Sequence, residues 1–157
     1  MKELLDTWAS VYANHAAVRT GISFVHVGGL LIGGGCAVAA DVTTISLARS
    51  QSHVGGGELA LLSRTHRLVV IGLTGIVASG LLLFAADVDT FWHSRVYWLK
   101  MALVALLLFN GVLLTIAERQ VRLGHPQAGR RLRNSALASL SLWFLTTLAG
   151  AALPNIG

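Results

Sequence analysis

The stretch TGISFVHVGGLLIGGGCAVAA, residues 20–40, runs between Arg19 and Asp41 without a formally charged side chain. Because an α-helix rises about 1.5 Å per residue, a run of this length covers the roughly 30 Å of hydrocarbon in a bilayer. It also carries many small residues, which allow close helix packing in a membrane. The stretch therefore predicts a membrane-spanning helix.

Three more uncharged runs follow, at residues 68–86, 101–117 and 135–153. The whole chain is 54% hydrophobic and 12% charged, with a mean hydropathy of +0.68. Four such runs would leave a soluble all-helical domain no polar face for water. We therefore predict an all-α, integral membrane four-helix bundle in a single membrane domain. Its spans are expected at about 18–44, 64–87, 95–120 and 133–153. From Asp41, the first charge after the first run, to Ser63 we expect a polar, mobile loop with a helical part near residues 59–63.

The segment before the first run has the pattern of an amphipathic helix over about residues 2–16. Its charged side chains, Lys2, Glu3 and Asp6, fall away from the apolar face. The segment lacks the apolar core and small-residue cleavage site of a secretory signal, so we expect it to be retained. An interfacial helix at the membrane surface is predicted. Its apolar face comprises Leu4, Leu5, Trp8, Val11 and Tyr12.

Positive charge is concentrated between the third and fourth runs. Cytoplasmic loops of membrane proteins carry an excess of lysine and arginine, so we expect this loop in the cytoplasm of a bacterial inner membrane, with both termini outside. The formal charge of +5 lies beside apolar spans rather than along a soluble face. The predicted partner is thus the lipid bilayer and not nucleic acid. The basic loop contains Arg119, Arg122, Arg130, Arg131 and Arg133.

His26 is the candidate functional residue of the first span. An ionisable group inside a span is costly to keep there and points to function. The small residues on its helical face provide either close approach of another helix or room for a flat macrocycle beside an imidazole. His26 is accordingly either hydrogen-bonded to a neighbouring helix or an axial ligand of haem b. At about 100° per residue its stripe comprises Arg19, Ile22, His26, Gly29, Gly33, Ala37 and Ala40.

Candidate partners of His26 come from the same predicted side of the membrane. Lys100 precedes the uncharged part of the third span and either reaches the lipid headgroups or faces His26. Arg19, Arg95 and Lys100 are the cations available for haem propionates. His93 is a possible second axial ligand, although the sequence places it in a loop.

Other polar or sulfur-containing residues fit a shared site less well. Cys36 lies ten residues from His26, about 15 Å along a helix, too far to share one metal ion. His66 opens the second span at the opposite membrane face. Met101 offers a thioether without a cluster of further ligands. Asn110, the amide within the third span, is predicted to hydrogen-bond across helices.

Three segments carry a resemblance to known proteins: VHVGGLLIGGGCAVAADVTT (25–44), SGLLLF (79–84) and VYWLKMALVALLLFNGVLL (96–114). Together they resemble small bacterial four-helix membrane proteins over roughly residues 18–120. They are more distantly similar to copper-resistance D proteins and to the four-helix membrane protoporphyrinogen oxidase. The oxidase resemblance implies an associated b-type haem and a functional pair of a first-span histidine and a third-span lysine, which fall on His26 and Lys100. The other resemblance implies copper handling.

The leading functional hypothesis from the sequence is binding of haem b, with His26 as the metal ligand, in membrane redox chemistry or electron transfer. One alternative is a non-enzymatic subunit or scaffold whose glycine stripe packs against other membrane subunits or a second copy of the chain. A further alternative is copper handling. The predicted cofactor-binding residues are His26, Lys100, Arg19, His93, Gly29 and Gly33.

Overall fold

The computed structural model describes residues 2–50 and 56–156, with side chains described for residues 2–46 and 65–155. Within these ranges every regular element is helical, so the predicted all-α class is confirmed. The elements are α1 (Lys2–Asn14), α2 (Ala16–Gly29), a π-helical turn (Leu30–Gly34), α3 (Gly35–Ser50), α4 (Gly56–Ala86), α5 (Val88–His93), α6 (Arg95–Arg122) and α7 (Ala128–Ile156).

Four helical stretches are long and apolar enough to cross a membrane: Ala16–Ser46, Thr65–Ala86, Arg95–Arg122 and Ala128–Asn155. Only between 11% and 22% of the residues in their apolar windows are buried. Large side chains such as those of Leu81, Phe109 and Phe144 are more than half exposed, at 64%, 62% and 65%. So much outward-facing apolar surface suits lipid rather than water. The chain is an integral membrane protein with four helical spans, as predicted.

The chain divides into two compact units. The first comprises Met1–Cys36 and Arg67–Ser94, and the second comprises Ala37–His66 and Arg95–Gly157. The first unit contains α1, α2, the π-helical turn, the span part of α4, and α5. The second contains most of α3, the start of α4 as far as His66, and α6 and α7.

Glycines bring two helices of the first unit into backbone contact. A Cβ atom on Gly29 would lie 2.7 Å from the Gly72 carbonyl oxygen, and one on Gly33 would lie 3.2 Å from the Gly72 Cα. The contact spans the π-helical turn Leu30–Gly34, where the wider helix brings Gly33 and Gly34 to buried positions. The glycine stripe therefore serves close approach of helices, the first of the two uses predicted for it.

Helices α6 and α7 of the second unit are joined by a short turn that begins at a glycine. Gly124 has φ of 73°, its amide donates to the Val121 carbonyl, and the His125 amide donates to the Gln120 carbonyl. This pair of hydrogen bonds is the Schellman motif, in which a residue in left-handed conformation ends a helix. The turn at Gly124 thus separates α6 from α7.

An amide fastens α6 to α7 inside the apolar region. Asn110 is 6% exposed, and its Nδ2 donates to the Ser135 carbonyl at 2.9 Å. The prediction of an interhelical hydrogen bond from Asn110 is confirmed.

Replacing this amide is expected to destabilise the helix pair. Asn110→Ala leaves the Ser135 carbonyl without this donor and should lower the free energy of unfolding in detergent by about 1 kcal/mol. Denaturant titration followed by tryptophan fluorescence measures the change. Ser141→Ala is the matched control, because the exposed Ser141 hydroxyl bonds only within its own helix, to the Leu137 carbonyl. Equal losses in the two variants would contradict an interhelical role for Asn110.

The first loop differs from its prediction. A polar, mobile loop is expected from Asp41 onward, but α3 continues to Ser50, so the expectation is wrong for residues 41–50. The physical reason is packing: Asp41 is 3% exposed, and its helical neighbours Thr44 and Ile45 are 8% and 9% exposed. Asp41 therefore ends the uncharged run of the sequence, but the buried face of α3 continues past it. Helix α4 begins at Gly56, which confirms the helix expected near residues 59–63, and residues 51–55 lie outside the described residues.

Candidate functional site

His26 lies in the last turn of α2, where its side chain is half-buried. Its Nδ1 lies 2.9 Å from the hydroxyl oxygen of Ser79 on α4, and Ser79 is 2% exposed. Both residues belong to the first unit, in which the glycine contact holds α2 against α4. The hydrogen bond to a neighbouring helix, one of the two interpretations of His26, is therefore present. Such a bond is also compatible with metal ligation by the other ring nitrogen.

The bonds of Ser79 assign the tautomer of His26. The Ser79 hydroxyl donates to the Gly75 carbonyl at 2.6 Å, with the Ile76 carbonyl at 3.2 Å. Since a hydroxyl has only one hydrogen, the Ser79 oxygen accepts from His26. The Nδ1 atom consequently carries a proton, and when the imidazole is neutral its lone pair lies on Nε2. The nitrogen with the lone pair, Nε2, is therefore not the nitrogen that is bonded to Ser79.

The surroundings of His26 suit a metal ligand in their chemistry. Ligating histidines generally donate their other ring N–H to a fixed acceptor, which sets the tautomer and the ring orientation. Ser79 is such an acceptor. The neighbouring Gly80 lies beside the ring, since a Cβ added there would be 3.6 Å from His26 Cε1. The absent side chain of Gly80 therefore leaves room for the imidazole ring.

Gly29 and Gly33 do not offer open space beside His26. The atoms that a Cβ on either residue would meet belong to α4, chiefly to the backbone of Gly72. Helix α4 therefore occupies the space directly over these two glycines. Neither glycine supports the haem hypothesis, and both serve helix packing.

Arg19 is exposed and holds the end of α1. Its Nη1 donates to the carbonyls of Tyr12 and Ala13, in the last turn of α1. A cation beside helix carbonyls is stabilised by the helix dipole. Helix α1 is also hydrogen-bonded to α4, because Trp8 Nε1 donates to the Leu82 carbonyl at 2.9 Å. The amphipathic helix α1 is thus fastened to both α2 and α4.

His93 ends the short helix α5 and is exposed. The sequence places it in a loop, but the Asp87 side chain accepts from the Thr90 amide and caps a helix there. The His93 Nδ1 lies 2.8 Å from the Asp89 carbonyl, so this nitrogen is the donor and Nε2 carries the lone pair. Its role as a second axial ligand stays a prediction.

Lys100 belongs to the second unit and is half-buried in α6. Its ammonium group lies against α7 at Gly150, where an added Cβ would be 3.6 Å from Nζ. The absent side chain of Gly150 leaves room for the long lysine side chain. The predicted pairing of Lys100 with His26 stays a prediction.

The described residues contain no group of three or more histidine, cysteine, aspartate or glutamate side chains that could hold a metal ion. Copper handling gains no support from this part of the chain. A groove on the surface of α2 does not include His26 in its lining. That lining comprises Arg19, Thr20, Ser23, Phe24 and Val27.

Two polar residues of interest went unnoticed in the sequence. Ser79 lies 53 residues from His26, and its only signal is a hydroxyl followed by a glycine in an apolar run. Asp41 looks like the end of a span, whereas the structure buries it. The signal at Asp41 is helical spacing with Ala37, Thr44 and Ile45, which would have continued the first span beyond its first charge.

The fold and this site define a class: a four-span integral membrane protein with a hydrogen-bonded histidine in its first span. Comparison with protein-family models, with curated proteins and with solved structures finds no match to this chain. The resemblances noted in the sequence, and what they imply for His26 and Lys100, therefore remain predictions.

Proposed function

We propose that the protein binds haem b through His26 and takes part in redox chemistry or electron transfer within the membrane. The observation that carries this proposal is the hydrogen bond from His26 Nδ1 to the Ser79 hydroxyl. In the tautomer that this bond selects, the lone pair lies on Nε2. A histidine ligates iron through the lone pair of a ring nitrogen. An intramembrane ionisable residue held in this way is a functional-site candidate in its own right.

The residues have distinct parts in the proposed site. His26 would supply the axial nitrogen, and Ser79 fixes the tautomer and the orientation of the ring. Bound haem b would supply one-electron chemistry, whose potential depends on the axial ligand and the polarity of its surroundings. Arg19 is the cation of the same unit that could pair with a propionate, since its guanidinium has further N–H donors beyond Nη1.

The proposed location is a bacterial inner membrane, with the loop between α6 and α7 in the cytoplasm and both termini outside. Five arginines in and beside that loop support this orientation under the positive-inside rule. With four spans, both termini lie on one side, and His26 lies in the half of the first span nearest to that side. The haem site would then lie toward the outer face.

Absorption spectroscopy of the purified protein tests the proposal. After expression with haem supplementation, the full-length protein should show a Soret band that co-elutes with it on size exclusion and sharpens on reduction with dithionite. Empty detergent micelles given the same haem and passed over the same column are the control. A protein peak with no Soret absorbance beyond that control would overturn the proposal.

The alternatives have less support. A scaffold that docks partner helices through Gly29 and Gly33 would need those glycines on an open face, but both contact Gly72 within the chain. Copper handling would need a cluster of ligands, and the described residues hold none. Binding of haem through one histidine requires neither feature.

A further inference from the structure

A buried carboxyl group lies in the second unit, in the half of the first span away from His26. Asp41 is 3% exposed on α3, about five residues before the end of this span, or roughly 7 Å by helix rise. Its Oδ2 has no hydrogen-bond partner among the described residues. An acidic side chain at such a position is costly, and membrane proteins keep such groups for transport or relay.

Two helices of the second unit, α6 and α7, place side chains near this carboxyl group. The Ser139 hydroxyl of α7 is close enough to the Asp41 side chain to interact with it. The half-buried Glu118 of α6 is near enough to repel it electrostatically. Glu118 in turn is close to two positive or ionisable groups, His66 at the start of the second span and Arg122 at the end of α6. Among the described residues, Asp41 and its acidic neighbour thus interact with a hydroxyl, an imidazole and a guanidinium group.

We propose that Asp41 is a proton-binding site inside the membrane, and that Glu118 and His66 exchange its proton with the side that carries the basic loop. The Asp41 Oδ2 atom accepts the proton, which Glu118 passes on from His66 or from water at that surface. No electron is transferred. The proposal does not depend on haem binding at His26.

The donor set favours a proton over a metal ion. A cation such as calcium takes about six to eight oxygen ligands, and sodium likewise needs several. Here one carboxyl group and one hydroxyl converge, and the described residues contain no group of three metal-ligating side chains. A proton needs a single oxygen atom. Proton relays in membranes are built from aspartate, glutamate and histidine side chains of this kind.

Infrared difference spectroscopy of the full-length protein in liposomes tests the assignment. As the pH is lowered, the wild type should develop a C=O band of a protonated buried carboxyl that shifts in deuterium oxide. Asp41→Asn should lose this band. Glu118→Gln should keep it but slow its appearance after a pH jump. The exposed residue Asp87 provides the matched control, because Asp87→Asn should leave the buried band unchanged.

Several results of this experiment would overturn the proposal. A full band in Asp41→Asn, or no pH-dependent carboxyl band in the wild type, removes Asp41 as a proton site. A band that responds to sodium at constant pH assigns the site to a metal cation instead. If Asp41→Asn does not fold, Asp41→Glu takes its place: a shifted band supports the proposal, and an unshifted band overturns it. Since the Soret band of the wild type is measured separately, either proposal can fail alone.

Discussion

His26→Ala is expected to abolish the Soret band of the haem-loaded protein. The alanine removes the nitrogen that we propose ligates iron. Among the described side chains, no second histidine is hydrogen-bonded to Ser79 that would replace it as a ligand. The effect should be large, because axial ligation is lost outright rather than weakened. Absorbance of the purified variant, normalised to protein, measures the retained haem.

Two further variants separate ligation from general damage. His15→Ala is the matched control, because His15 is an exposed histidine of the same unit whose Nδ1 is likewise hydrogen-bonded, in this case to the Val11 carbonyl at 3.1 Å. It should keep the full Soret band. Ser79→Ala removes the acceptor but not the ligand, so haem affinity should fall by roughly 10- to 100-fold. An unchanged band in His26→Ala, or equal losses in His15→Ala, would refute ligation by His26.

Gly72→Leu is expected to destabilise the first unit severely. An added Cβ would contact the Gly33 amide nitrogen, with the Gly33 Cα at 2.5 Å and the Gly29 carbonyl oxygen at 2.7 Å. These are backbone atoms of a helix, which cannot swing aside as a side chain can. Overpacking typically costs about 1 to 3 kcal/mol, and the added leucine side chain should place this variant at or above that range. Thermal unfolding in detergent, followed by circular dichroism, measures the loss.

Glycine variants elsewhere in the same unit provide the comparison. Gly21→Leu lies on α2, where an added Cβ would meet nothing within 4 Å, so its unfolding temperature should stay near that of the wild type. Gly75→Ala should have a small effect, since its Cβ would make an ordinary contact of 3.7 Å with Val25 Cγ1. If Gly72→Leu unfolds at the same temperature as Gly21→Leu, the helices are not in backbone contact there.

Much of the fold could be predicted because hydrophobicity and helical periodicity are local. The four spans follow from uncharged runs of sufficient length, and burial of Ile22, Gly29 and Gly33 follows from their shared stripe. The interhelical bond of Asn110 follows from the cost of a lone amide in hydrocarbon. The error at Asp41 has the same origin, because a local rule ended the span at its first charge. The groups near that charge lie on α6 and α7, far along the chain.

The sequence by itself determined that this is a four-span membrane protein and that His26 lies inside a span, because the cost of placing each residue in hydrocarbon depends mainly on its own chemistry. Only the tertiary structure decided what those residues meet. It placed Ser79 against His26, Gly72 against Gly33, and Ser139 against Asp41. These partners come from different helices, and helix packing rather than local pattern brings them together. The tautomer of His26 and the burial of Asp41 follow from that packing.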